Sequence, residues 1–138
     1  MPANTQPIFS VAGDIEWGPT VLTTQNTAKD GTGTVLTVFS ADATNGGFVQ
    51  RIRFRSAGTN IATVARVFIN NGSVNSTPAN NILYDEITLA ATTLSETSAL
   101  AVYELPLNFA LPPGYRLIVT LGTTVAAGYY VSVIGGRY

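Results

Sequence analysis

The sequence predicts an all-β domain, an antiparallel sandwich of about eight short strands behind an extended N-terminal arm. Three observations carry that expectation. Apolar and polar side chains alternate through several segments, most clearly over 61–70. Clusters of Gly, Asn, Asp and Pro interrupt those segments at short intervals. No stretch sustains a helical period with caps; the nearest, 92–97, is too short and too rich in β-branched residues.

Residues 1–19 read as the arm. Pro2, Pro7 and Pro19 disfavour helix, while Phe9, Ile15 and Trp17 give the segment apolar side chains that dock either on its own domain or on a neighbour. Residues 20–138 then form a single domain, with strands expected over 20–24, 34–40, 48–56, 61–70, 82–89, 100–109, 115–121 and 127–134. The punctuation between them includes Lys29-Asp-Gly-Thr-Gly33, Asn45-Gly-Gly47, Ala57-Gly-Thr-Asn60, Asn70-Asn-Gly72 and Leu111-Pro-Pro-Gly114.

Alternation assigns faces. Ile61, Thr63, Ala65, Val67 and Ile69 share one side of their strand; Val64, Arg66 and Phe68 share the other. Tyr103, Leu105, Leu107 and Phe109 form a further apolar row, as do Tyr115, Leu117, Val119 and Leu121. One buried face per strand is what two packed antiparallel sheets require. The partly apolar row of Arg66 and Phe68 is expected at a contact with another subunit. Arg51, Arg53 and Arg55, at spacing two, project together opposite Ile52 and Phe54. Such a row suits an intersubunit ladder of Arg–carboxylate pairs, or a solvated face that discourages edge-to-edge aggregation. Nucleic acid is not the expected partner, because a basic surplus with interleaved stacking aromatics is missing.

Composition narrows the chemistry. The chain has 138 residues, 46% hydrophobic and only 11% charged, against a usual charged quarter, and a net charge of −1. It contains no histidine and no cysteine, which removes the commonest catalytic bases, thiolate nucleophiles and transition-metal ligands. The carboxylate pairs Asp14/Glu16 and Asp85/Glu86 do not make a glycosidase site, since the first lies in the arm and the second points to opposite faces of a strand. There is no phosphate-binding glycine loop and no serine elbow. Asp30, Asp42 and Asn45 beside glycines read as turn formers rather than calcium ligands. Trp17, Tyr129 or Tyr130 with Asn-rich loops would suit a sugar platform, but a core or interface role is the expected one for these aromatics. No catalytic residue, cofactor or metal is therefore expected. No apolar run approaches a membrane span, and the start lacks a secretory signal, so synthesis in the cytoplasm is expected.

Several phrases together resemble a known group. They are Trp17-Gly-Pro19, Thr37-Val-Phe-Ser-Ala-Asp42, Gly46-Gly-Phe-Val-Gln-Arg-Ile-Arg-Phe54, Leu111-Pro-Pro-Gly-Tyr-Arg-Leu-Ile-Val-Thr120 and Gly135-Gly-Arg-Tyr138, with the run from Gly58 to Gly72. The succession resembles small virion proteins of tailed phages, the capsid cement (decoration) proteins of jelly-roll type. The resemblance implies a non-enzymatic homotrimer on the outer capsid surface, clamping the major capsid protein of the same phage. Within it, Phe9, Ile15 and Trp17 would contact the capsid or a neighbour, and Arg51, Arg53, Arg55, Arg66 and Phe68 the sister subunits. A tail or tail-fibre module that binds a receptor or carbohydrate is the alternative.

Overall fold

The computed structural model describes residues 12–138; Phe9 lies outside the described residues. Its strands are β1 (Ala12–Trp17), β2 (Leu36–Ser40), β3 (Gly47–Ser56), β4 (Thr63–Asn70), β5 (Asn81–Leu89), β6 (Val102–Leu111), β7 (Arg116–Leu121) and β8 (Tyr129–Arg137). The only helical element among the described residues is a single 3-10 turn, Pro78–Asn80.

These strands form two four-stranded antiparallel sheets, a front sheet ordered β1-β8-β3-β6 and a back sheet ordered β2-β7-β4-β5. The pairing is nested: β1 with β8, β2 with β7, β3 with β6 and β4 with β5. The chain is thus one long hairpin, doubled back between β4 and β5 and rolled up until β3 meets β8 and β4 meets β7. That is the jelly-roll topology. One strand differs from the sequence reading. Residues 20–24 make only an isolated bridge, Leu22 to Tyr129, and the first strand is Ala12–Trp17, within the segment read as arm. It pairs along the whole of its length with β8, whose backbone groups on that side would otherwise lack partners.

Period-two alternation builds the core. Ile52 and Phe54 of β3 and Val131 and Val133 of β8 face Ala65 and Val67 of β4 and Leu117, Val119 and Leu121 of β7, all essentially inaccessible to water. Each large side chain so buried contributes about 1.5–3 kcal/mol before entropy is counted. Where strands cross closely, only glycine fits: a Cβ on Gly135 would collide with the carbonyl oxygen of Phe48.

Two polar devices hold the loops. At one end Asn60 is buried and joins three connections. Its Nδ2 donates to Ser56 Oγ (3.0 Å) and the Gly128 carbonyl (3.1 Å), and its Oδ1 accepts from the Ala127 and Gly128 N–H groups (2.9 and 2.8 Å). Its own N–H donates to the Thr92 carbonyl at 3.1 Å. At the other end the Asp42 Oδ1 accepts from the Asn45 and Thr44 N–H groups (2.7 and 2.9 Å), fixing the turn between β2 and β3.

The connection between β1 and β2 matters for function. Gln25 bridges β7 at Leu121 and Leu36 pairs with β7 at Val119, so the intervening residues leave and return to the same place. Between those points the carbonyls of Gly31 and Gly33 accept from Asn75 Nδ2 (3.0 and 2.9 Å), and that of Asp30 from Asn81 Nδ2 (3.1 Å), beside the opposite edge strand β5. The loop therefore crosses the outer face of the back sheet. Under it lie Phe68 and Ile118, cross-strand partners that point away from the main core and are nevertheless buried.

Replacing Asn60 by Ala leaves the N–H groups of Ala127 and Gly128 unpaired in a buried place. The expected loss is about 2–4 kcal/mol, read as a lower denaturant midpoint with an unchanged slope. The Asn45 and Thr44 N–H groups hold the Asp42 carboxyl below its ordinary value of 3.8. A depressed folded-state pKa contributes stability that is complete above the unfolded value and disappears as pH falls through the folded one. Asp42→Asn should accordingly flatten the acid limb of the stability–pH profile below about pH 4.

Candidate functional site

The front sheet has no cover on its outer side among the described residues. The alternation that buries Ile52 and Phe54 turns Arg51, Arg53 and Arg55 outward, and the register then places their neighbours. One row across the sheet reads Trp17, Ser132, Arg53, Glu104; the next reads Ile15, Ile134, Arg51, Pro106; a third reads Tyr130, Arg55, Val102. Trp17 and Ile15, named from the sequence as arm contacts, thus share a face with the arginine row named as a subunit contact. Spacing of strands and residues makes this patch roughly 14 Å by 13 Å.

Its halves differ in chemistry. On β1 and β8, Trp17 is 67% exposed and Ile15 and Tyr130 each 58%. Trp17 pairs with Ser132, which puts Tyr130 at its diagonal, within reach of aromatic side chains. On β3 and β6, Arg51 Nη1 and Arg53 Nε each stand 3.7 Å from a different oxygen of Glu104. Among the described residues Arg55 has no carboxylate within ion-pair distance, and its Nη1 donates to the Leu100 carbonyl at 3.1 Å. The face holds three cations and one carboxylate in a chain whose net charge is −1.

Two concavities border this face. A groove of about 370 Å³ runs between edge strands β1 and β2, lined by Ile15, Glu16, Trp17 and Thr37 to Ser40. A smaller one of about 220 Å³, among Gln50, Arg51, Glu104, Pro106 and Asn108, sits where β3 and β6 both lose register. Asn108 there adopts a positive φ of 53°, a conformation asparagine tolerates better than most side chains.

The remaining candidates go elsewhere. Arg66 faces outward on the back sheet, largely buried, with Nε 3.4 Å from Glu86. Phe68, read as a subunit contact, has 0% of its surface exposed, because the chain's own loop lies over it. A ring with no accessible surface offers nothing to a neighbouring subunit. Tyr129 is buried in the core while its neighbour Tyr130 stands outside. Asp14 and Glu16 both engage Arg137 of β8, Asp14 at 3.5 Å, and Glu16 Oε2 also accepts the Ser40 N–H of β2 at 2.9 Å. Among the described residues no three His, Cys, Asp or Glu side chains gather as metal ligands would, and no helix is long and apolar enough to cross a membrane. Sequence reasoning missed Glu104 and Ile134 as parts of the face. The alternation of Tyr130, Ser132 and Ile134 against Val131 and Val133 carried the signal for the second.

No protein-family model matches this chain, and no curated protein matches it in sequence.

The contrast between covered and uncovered side chains is measurable. Trp17→Ala and Arg53→Ala should each leave unfolding free energy within about 0.5 kcal/mol of the parent, whereas Phe68→Ala should cost about 3–5 kcal/mol. Equilibrium denaturation of the three variants checks both.

Proposed function

We propose that this chain is a non-enzymatic structural protein of a phage virion, a capsid cement protein that joins its assembly through the open face of the front sheet. The observation that carries the reading is the asymmetry of the two sheets. The back sheet is closed by the chain's own loop, while the front sheet leaves Trp17, Ile15 and Tyr130 exposed beside Arg51, Arg53 and Arg55. Aromatic and arginine side chains are those enriched at protein interfaces, and an exposed apolar patch edged by charge is characteristic of a contact surface. A rigid eight-stranded jelly roll supplies the brick, and trimeric attachment multiplies a modest affinity per copy. The resemblance described above supplies the partner, the major capsid protein of the same phage.

A second reading follows from one feature of the same face. Trp17 and Tyr130, exposed and diagonal to each other, make an aromatic platform on which sugar rings could stack, as a tail-fibre recognition module would require. Binding on a glycan array would favour it.

The cement reading is tested by co-sedimentation with expanded shells of the major capsid protein. The parent chain should pellet with the shells, and Trp17→Ala combined with Arg53→Glu should stay in the supernatant while melting normally. A parent chain that ignores the shells overturns the reading.

A further inference from the structure

The outward arginines of β3 carry more donor capacity than the described residues use. Each guanidinium has several N–H donors in a fixed fork. Among the described residues the side chains of Arg51 and Arg53 make no hydrogen bond, and that of Arg55 makes one, to the Leu100 carbonyl. Glu104 is the carboxylate set among them. It stands opposite Arg53 in register and is shared, with Arg51 Nη1 and Arg53 Nε each 3.7 Å from one of its oxygens. At that distance it offsets charge without making a hydrogen bond. Three cations and one carboxylate leave a surplus of two positive charges. Because Glu104 faces the middle arginine, that surplus falls toward the ends of the row, at Arg51 and Arg55.

The Arg51 end is shaped to receive something. Gln50 is an extra residue in β3, matched neither by β8 nor by β6, and β6 leaves Leu107 and Asn108 out of register opposite it. A bulge of this kind bends the strand and re-aims its side chains. The result is the hollow of about 220 Å³ walled by Gln50, Arg51, Glu104, Pro106 and Asn108. Arg51, which lines it, keeps its Nε buried with no hydrogen-bond partner. A buried donor left unpaired is costly, so an acceptor brought to this guanidinium is favoured.

Both ends of the row therefore lack an anionic acceptor, and their separation says what could supply two. At the rise of a strand, Arg51 and Arg55 are about 13 Å apart on one face. An extended peptide has the same rise, so carboxylates on its first and fifth residues stand at the same spacing and on the same side. Its third residue would meet the Arg53–Glu104 pair, where a further negative charge would face Glu104. A nucleic-acid strand fits less well, since its unbroken run of phosphates would also meet Glu104 and finds only three cations in return.

We infer that the open face binds an extended acidic segment of its partner, with two carboxylates four residues apart held by Arg51 and Arg55. This rests on the reading of the open face as the attachment surface and names the chemistry of the surface it meets. Arg–carboxylate forks supply the specificity, and Glu104 keeps the unoccupied row from attracting polyanions at large.

The test follows the arginine Nε–H signals of the isotope-labelled full chain by NMR while a capped peptide Glu-Thr-Val-Thr-Glu is added. The signals of Arg51 and Arg55 should shift and saturate. A peptide with Gln at both ends, and one with its two Glu adjacent, should each bind roughly tenfold more weakly, as should Arg55→Gln or Arg51→Gln with the parent peptide. Glu104→Gln, which frees the shared cations, should bind the acidic peptide several-fold more tightly, with melting temperature unchanged. Arg51→Gln keeps the result readable should Arg55→Gln perturb folding through the lost bond to Leu100. Absence of shifts, equal binding of the Gln peptide, or weaker binding by Glu104→Gln overturns the inference, and tighter binding of oligothymidylate overturns it in favour of nucleic acid. A chain that ignores the peptide but pellets with capsid shells at low and high salt alike overturns the inference alone. A chain that binds the peptide but not the shells leaves the acidic site standing and removes the cement reading.

Discussion

The register of β3 is the constraint on which the rest depends. This strand is hydrogen-bonded on both sides, to β8 and to β6, and its two faces have opposite chemistry. Burying Ile52 and Phe54 obliges Arg51, Arg53 and Arg55 to point outward, and a slip of one residue would put three guanidinium groups into the core. Charges that far from water cost several kcal/mol each, so no other register competes. Once β3 is set, its partners follow. Glu104 falls opposite Arg53, Ser132 on the other side, and Trp17 beyond it. The core and the open face are two sides of one decision.

The two outer faces are handled differently, and asparagine is the means. A loop laid across the back sheet has backbone groups to satisfy, and a loop without partners for them would stay in water. Asn75 and Asn26 each use one amide nitrogen to bind two loop carbonyls. With those bonds made, Phe68 and Ile118 can be covered, and the apolar burial favours the closed arrangement. Among the described residues no loop covers the front sheet, whose outer side chains include Trp17, Ile15, Tyr130 and the three arginines.

The lateral edges are just as unequal. On the β1–β2 side the edge carries paired charge around the groove, with Arg137 held by Asp14 and Glu16 and the Ser40 N–H donating to Glu16. Inward-pointing charges of this kind are a known way to blunt an edge against unwanted pairing. On the other side β5 carries Ile82, Leu83 and Tyr84 in the open. The two lateral edges therefore differ in chemistry, one carrying paired charge and the other exposed apolar side chains.

Much of the architecture was legible in the chain. Alternation over 61–70 and through the arginine row needs only the two-residue period of a strand, and the turn clusters need only the backbone preferences of Gly, Asn, Asp and Pro. Those local rules determined the all-β class, most strand positions and the inward or outward sense of Arg51, Arg53 and Arg55. Tertiary structure decided what lay beyond their range. Whether residues 12–17 were arm or strand depended on an unpaired edge of β8, more than a hundred residues away in sequence. Whether Phe68 was surface or interior depended on a loop that Asn75 and Asn81 draw across it. Trp17, Tyr130 and Arg53 share a face because nested long-range pairing sets β1, β8 and β3 side by side, and side-chain alternation carries no information about which strands become neighbours.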